Sequence, residues 1–334
     1  MRFVASLTRG ASELKRMLAL WQESGDQRNP FANVLVTPLF MPPSGMRVIR
    51  DWKEQGIIQQ LYFDSGGYYV QMGRISYIDL YYPLLELYRR ENWADWYVLP
   101  DHVPRSSDPE ELVDLKVRDT IEYGMLFFES LHDDLKLKAI PVVHGYTHHQ
   151  IESAIESHLR MKSRFIGFGS FDTSGAKGSV NKLSWRSYEN LQTIIREVSE
   201  HVEGVHVFGV TTPPVLYLLH RINVFSFDSV GWMKSAGFGK VYMPFSRAYN
   251  ITYFDPSSRS LSKSQFEYIK HITGHDCYFC RSFEKLHRER YYRIMHNIIV
   301  ILDMLDALVL ADDRLRQLNL IRLLSPDYVR LLEL

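Results

Sequence analysis

The sequence predicts a (β/α)8 barrel over most of the chain, followed by a small metal-binding insertion and closing helices. Three observations predict it. Short β-branched or aromatic runs alternate with longer helical patterns, as in a parallel α/β fold. Eight such runs occur, the number a closed barrel needs, in a chain of 334 residues where about 250 suffice. Acidic, histidine and glycine residues recur where the runs end, the edge on which parallel folds collect their chemistry. An open doubly wound sheet is the competing architecture.

The expected strands are 36–41, 61–64, 96–101, 139–144, 165–169, 205–209, 224–228 and 240–243. Helical patterns lie between them at 77–90, 109–132, 148–162, 184–201 and 213–221. The second strand ends on Asp64 and runs into Ser65-Gly66-Gly67-Tyr68-Tyr69. Two glycines let backbone approach a ligand and expose amide donors. The tyrosine that follows can stack on a flat heterocycle. A plain Gly-Gly turn is the bland alternative, but it does not ask for the neighbouring Asp. Later strands end on Asp101, His144, Gly169 (followed by Ser170), Gly209 and Asp228. A lone Asp at a strand end usually caps a helix or makes a turn. Three of them on one barrel mouth point to a site. After residue 251 a polar loop, 255–260, leads into a cysteine-bearing stretch and then Leu-, Ile- and Arg-rich helices. The expected organisation is one barrel domain, 1–334, with a metal subdomain at about 270–300 and closing helices at 300–334.

Composition excludes several classes. With 46% hydrophobic residues the chain buries enough surface to offset its ordering entropy, so disorder is excluded as the main state. The longest apolar run, 298–302, is far short of the ~20 residues of a membrane helix. The N-terminus lacks a long apolar core and a cleavage signal, and two cysteines make no disulfide framework. Both features predict a cytoplasmic protein with no membrane partner. Lys+Arg and Asp+Glu balance at 39 each, which removes the bulk signature of a nucleic-acid binder and leaves room only for a local basic face. The glycines at 167–178 lack the Gly-Lys-Ser/Thr spacing of a phosphate loop, so a nucleoside triphosphatase is rejected. His148-His149 starts a helical pattern without partners of metal spacing and reads as surface.

His275, Cys277, Cys280 and His296 form a closed set of two imidazoles and two thiolates, suited to a structural zinc. His287 competes for the fourth place, and two buried free cysteines with unrelated histidines are the alternative. Beside this set lie Arg281, Lys285, Arg288, Arg290 and Arg293, interleaved with Tyr291 and Tyr292. On a helix some of these charges share a face and could contact nucleic-acid phosphates. A solvated helix face is the equal alternative.

In chain order these pieces resemble the tRNA-guanine transglycosylases and their DNA-acting relatives, over about residues 34–305. Thr37-Pro38-Leu39-Phe40-Met41-Pro42 resembles the family's opening barrel strand. Asp64-Ser65-Gly66-Gly67-Tyr68 resembles its D-S-G-G-F/Y motif, and Leu99-Pro100-Asp101 falls where an Asp binds the purine. Val142-Val143-His144-Gly145 stands where the family usually has V-Q-G, so His replaces Gln. Residues 166–170 occupy its Gly-rich strand, and His206-Val207-Phe208-Gly209-Val210 with Pro213 resembles its H-x-x-G-I/V-x-x-P segment. Phe227-Asp228-Ser229 resembles the strand end that carries the nucleophile, and the His/Cys set resembles the zinc motif C-x-C-x-x-C…H-N. Three departures matter. The first zinc ligand is His rather than Cys, and the gap before the last His is short. The P-T-R…R-N-G run that holds an anticodon loop is missing, with Ser229-Val230-Gly231-Trp232-Met233-Lys234 in its place. A compact chain with an H-x-C-x-x-C pattern looks most like the DpdA-type branch, which inserts 7-deazaguanine bases into DNA.

The resemblance implies a guanine transglycosylase with Asp228 as nucleophile and Asp64 as general acid/base. It implies that Ser65, Gly66, Tyr68, Asp101, His144, Gly169 and Ser170 form the base pocket. It further implies that Arg281, Lys285, Arg288 and Arg293 meet the nucleic acid. The implied partners are DNA and a 7-deazaguanine base, and the implied metal is a structural Zn2+ with no redox or nucleotide cofactor. A DNA-opening partner and a homodimer are compatible with it. The alternatives are a tRNA enzyme with divergent anticodon contacts, and a non-catalytic subunit of such an enzyme. Retention of both Asp64 and Asp228 argues against the subunit.

Overall fold

The structure, a computed structural model, describes residues 1–169, 183–210, 212–252, 260–310 and 313–329. Its centre is a parallel sheet of nine strands. They are β1 (Arg2–Ser6), β2 (Asn33–Val36), β3 (Gln60–Phe63), β4 (Trp96–Val98), β5 (Ala139–Ile140), β6 (Val142–Val143), β7 (Phe165–Phe168), β8 (Gly204–Val207) and β9 (Ser226–Ser229). The order across the sheet is β5-β4-β3-β2-β1-β9-β8-β7-β6. Its two end strands are therefore neighbours in sequence, separated by Pro141. Proline has no N–H to give, so the ladder lapses there. The Pro141 carbonyl still accepts from the Gly167 N–H at 2.8 Å. β5 and β6 act as one strand broken at a proline, and the sheet curls through it into a nearly closed eight-stranded barrel.

The barrel gains one strand the sequence did not offer and loses one it did. Residues 2–6, expected only to start the chain, form β1 and pair with both β2 and β9. A strand covered on both faces has no polar alternation to betray it. Residues 240–243 leave the barrel; Lys240–Val241 pairs antiparallel with Tyr249–Asn250 in a separate ribbon. The run 36–41 ends as strand at Val36, because Pro38 cannot enter a ladder and Pro38–Phe40 forms a 3-10 turn. The helical patterns fare better. Tyr77–Arg90 and Pro213–Arg221 are helices with the expected bounds. His148–Leu159 and Trp185–Val198 begin at Thr147 and Ser184, each closed by a capping box.

The 20-residue helix Arg290–Val309 runs through the expected boundary at residue 300, joining insertion and closing helices. Every residue from 292 to 301 is buried. This stretch is buried all round, with Arg293, His296 and Asn297 satisfied inside. The helix packs against Pro213–Arg221, Gly231–Gly237 and Ala11–Ser24. Ser170 and the polar run 255–259 lie outside the described residues. No helix among the described residues is long and apolar enough to cross a membrane.

Side chains alternate across each strand, and this places the site. Val4, Leu35, Tyr62, Trp96, Ile140 and Phe165 fill the inside of the barrel. Their neighbours Phe3, Val34, Leu61 and Phe63 join the layer under the helices. Two residues beyond Val4, Leu35 and Tyr62 come Ser6, Thr37 and Asp64, on the inner face at the C-terminal mouth.

Candidate functional site

A cavity of about 390 Å3 opens at this mouth and is lined by Ser6, Thr37, Asp64, Asp101, His144, Gly169 and Asp228, among others. Seven strands or strand ends thus contribute to one space. Asp228 sits in β9, held from both sides. Ser6 Oγ donates to its Oδ2 at 2.5 Å, and the Gly209 N–H donates to its Oδ1 at 2.8 Å. Both donors are neutral and carry no charge to quench the carboxylate. His206 lies below, 3.7 Å from Asp228 Oδ1, with Nδ1 2.8 Å from Ser226 Oγ.

The turn after β3 explains its two glycines. Gly66 has φ +94°, a conformation that side chains resist. A Cβ on Gly67 would stand 2.3 Å from Asp101 Oδ1. The space at Gly67 is therefore taken by the Asp101 carboxylate, where the sequence suggested room for a ligand. Buried Ser65 donates to Asp101 Oδ1 at 2.6 Å, and His144 Nε2 lies 2.8 Å from Asp101 Oδ2. Each carboxylate oxygen has two lone pairs, so both can still accept from a ligand. Gly169 borders His144, whose Cε1 would be 3.0 Å from a Cβ there. Tyr68 lines the cavity and is 40% exposed. Ser65 and Gly66 do not line it; they shape the turn.

Asp64 is held by Thr37. Burial, and then the nearby charge of Asp101, raise its carboxyl from 3.8 to about 7, against the bond donated by Thr37 Oγ1 at 2.8 Å. A carboxyl group poised near neutrality beside one held by neutral donors is how environment separates acid from nucleophile. Perturbed carboxyls in a cleft mark candidate sites.

A second cluster lies away from the cavity. His275, Cys277 and Cys280 offer ligand atoms within 4.8 Å of one another, all buried, and could hold a metal ion. His275 Nδ1 bonds Asp303, which Arg28 Nη1 grips at 2.6 Å, while His275 Nε2 is buried without a hydrogen bond. A carboxylate fixing one ring nitrogen and leaving the other bare is the outer support of a metal-binding histidine. The Cys277 N–H donates to Cys280 Sγ at 3.1 Å. The Cys280 thiol is drawn below its ordinary value, chiefly by the neighbouring Cys277 thiol and then by His275. The His296 Nε2–H donates to the Tyr242 carbonyl at 3.0 Å, which leaves Nδ1 facing Cys277 Sγ at 3.5 Å. Two ligands of a tetrahedral zinc, one sulfur and one nitrogen, stand about 3.5 Å apart. His275, Cys277 and Cys280 therefore offer three ligands to a metal, while His296, expected as the fourth, is not among the ligand atoms gathered within 4.8 Å. None of them lines the cavity.

The basic stretch divides. Arg281 and Arg288 are exposed, and exposed Lys285 donates to the Tyr292 hydroxyl at 2.8 Å. Arg293, expected at the nucleic acid, is buried at 6% exposure. Its guanidinium donates to the carbonyls of Ala236, Leu286 and His287 at 2.8–3.0 Å. It ties the insertion to the barrel through Nε and Nη1, so the residue expected at the nucleic acid is mostly buried and engaged by backbone carbonyls.

Sequence reasoning missed Ser6, Thr8, Arg9, Arg74 and Lys234 at the cavity. Recognising 2–6 as the first strand would have found Ser6, by period two from Val4. No protein-family model and no curated protein matches this chain.

Proposed function

We propose that this chain is a base-exchange transglycosylase that replaces guanine in DNA with a 7-deazaguanine base through a covalent Asp228–sugar intermediate. The observation that carries this reading is the meeting of Asp64, Asp101 and Asp228 in one cavity, in three unlike surroundings. The ordered resemblance of the motifs supports it.

Asp228 attacks C1′ of the target nucleotide as the bond to guanine N9 breaks. Ser6 and the Gly209 amide orient its oxygens for that attack. Asp64, protonated at the start, gives its proton to the departing guanine. The entering base then returns a proton from its own N9 to Asp64 and attacks C1′, and Asp228 leaves. Two displacements retain the configuration and regenerate both carboxyls. Asp101, fixed by Ser65 and His144, accepts from the purine N1–H and exocyclic amine. Tyr68 covers one face of the base, and Gly169 contacts its edge. The target base enters extruded from its stack. His275, Cys277 and Cys280, with His296 as the implied fourth ligand, would hold a structural Zn2+, which would crosslink the insertion and supply no chemistry at the sugar. DNA is favoured over tRNA by the segment 229–234, which stands where an anticodon grip would be.

The test is isolation of the intermediate. A guanine-containing DNA is incubated with the chain, quenched in acid and digested. The expected product is a sugar–DNA adduct mapped to Asp228, absent from Asp228→Asn. An adduct on another residue, with exchange intact, overturns the assignment.

A further inference from the structure

The charges around the cavity are sorted in an unusual way. Its carboxylates are engaged by neutral groups or by His144, while Arg9, Arg74 and Lys234 line the same cavity with no carboxylate within ion-pair distance among the described residues. Elsewhere the chain pairs its charges freely: Arg28 meets three aspartates, and buried Lys116 meets Asp108 at 2.6 Å. Arg9 Nε instead rests 2.9 Å from the Met233 thioether, a weak acceptor that leaves the guanidinium charge uncompensated.

Two of the three cations sit over one pair of aromatic rings, and the third lines the same cavity. Lys234 Nζ is 4.8 Å above Tyr68, and the Arg74 guanidinium is 5.6 Å above Tyr69. Arg9 acts electrostatically on Tyr69 beside Arg74. Tyr69 is pinned by stacking on Phe40 at 3.9 Å and 11°, and its neighbour Tyr68 stands exposed at the mouth. Acceptors therefore line the inside, and cations with stacking faces line the entrance. A ligand that matches carries N–H donors at its inner end and anionic groups outside. A free base or a neutral nucleoside satisfies only the inner half.

We infer that Arg9, Arg74 and Lys234, set around Tyr68 and Tyr69, form the cradle for the phosphodiester backbone flanking the extruded nucleotide. This deepens the reading of the cavity as a DNA base-exchange site and rests on it for the choice of strand. It moves the principal phosphate contacts from the basic stretch 281–293 to the rim itself. Phosphates take such contacts from guanidinium and ammonium groups, and exposed rings take neighbouring bases by stacking.

Binding of a labelled single-stranded DNA oligonucleotide is measured across a salt series by fluorescence anisotropy, using the full-length chain. Each lost phosphate contact lowers the slope of log affinity against log salt by about 0.7 for a single strand. The double variant Arg74→Gln, Lys234→Gln is expected to lower the slope by about 1.4. Arg288→Glu, on the other basic surface, is expected to change it little. Binding of free 7-deazaguanine is expected to be equal in parent and double variant, which also shows that the variant folds. An unchanged slope in the double variant overturns the inference, as does wild-type binding that ignores salt. Labelled base exchange is followed in the same samples. Exchange with an unaltered slope leaves the base-exchange reading standing without the cradle. A lowered slope without exchange by the wild type does the reverse. A matched RNA that binds tighter than DNA, with the same loss of slope, keeps the cradle and contradicts DNA as the strand.

Discussion

Replacing Asp64 with Asn should make the protein more stable at high pH while removing its activity. The folded state raises this carboxyl from 3.8 to about 7. Between about pH 4 and pH 7 the folded chain keeps a proton there that the unfolded chain has released. Stability therefore falls as pH rises through that window and levels off above it. The shift of about three units sets a ceiling of ~4 kcal/mol at 1.36 kcal/mol per unit. Solvent reaches the half-buried group through the cavity and screens it, so about 2 kcal/mol is the expected effect. Asn keeps an oxygen to accept from Thr37 Oγ1 and removes the ionisation. Urea unfolding at pH 4.5 and pH 8 reads the difference. Asp64→Asn should match the parent at the lower pH and exceed it by about 2 kcal/mol at the higher. A variant less stable than the parent by the same amount at both values would falsify the claim that Asp64 is a strained, poised acid.

Two further perturbations probe other parts. Gly67→Ala places a Cβ 2.3 Å from Asp101 Oδ1 and must displace that carboxylate. Loss of a charged hydrogen bond of ~2 kcal/mol predicts about a 30-fold rise in KM for the free base, with a folded protein and unchanged metal content. Cys280→Ala removes one member of the buried cluster. Metal analysis of purified protein should give one zinc per parent chain and much less in the variant. The unfolding midpoint should fall on the order of 10 °C, because structural metal binding is folding energy. Equal metal content and equal midpoints would remove the metal from the account.

Much of the fold was legible because helices declare themselves. The apolar spacing of Tyr77–Arg90 and the proline start of Pro213–Arg221 fixed both ends. β1 was hidden for the opposite reason: four of its five residues are buried in a row, so it carries no alternation and no turn signal. With β1 hidden, an outlying run, 240–243, completed the count of eight. The three carboxylates were legible because strand ends in parallel folds gather polar groups. Their different surroundings were not, because these rest on Thr37, Ser6 and the Gly209 amide, which come from remote strands. Arg293 shows the same limit from the other side. Its sequence neighbours made a basic face, yet the register of its helix turned it onto three backbone carbonyls.

The central claim is most directly tested by incorporation of a labelled 7-deazaguanine base, offered to duplex DNA and to tRNA in parallel, with wild type and Asp228→Ala. The account predicts label in DNA, none in tRNA, and none in either with the variant. Label in tRNA alone would contradict the choice of nucleic acid. Label in DNA that persists in Asp228→Ala would contradict the nucleophile and with it the covalent mechanism.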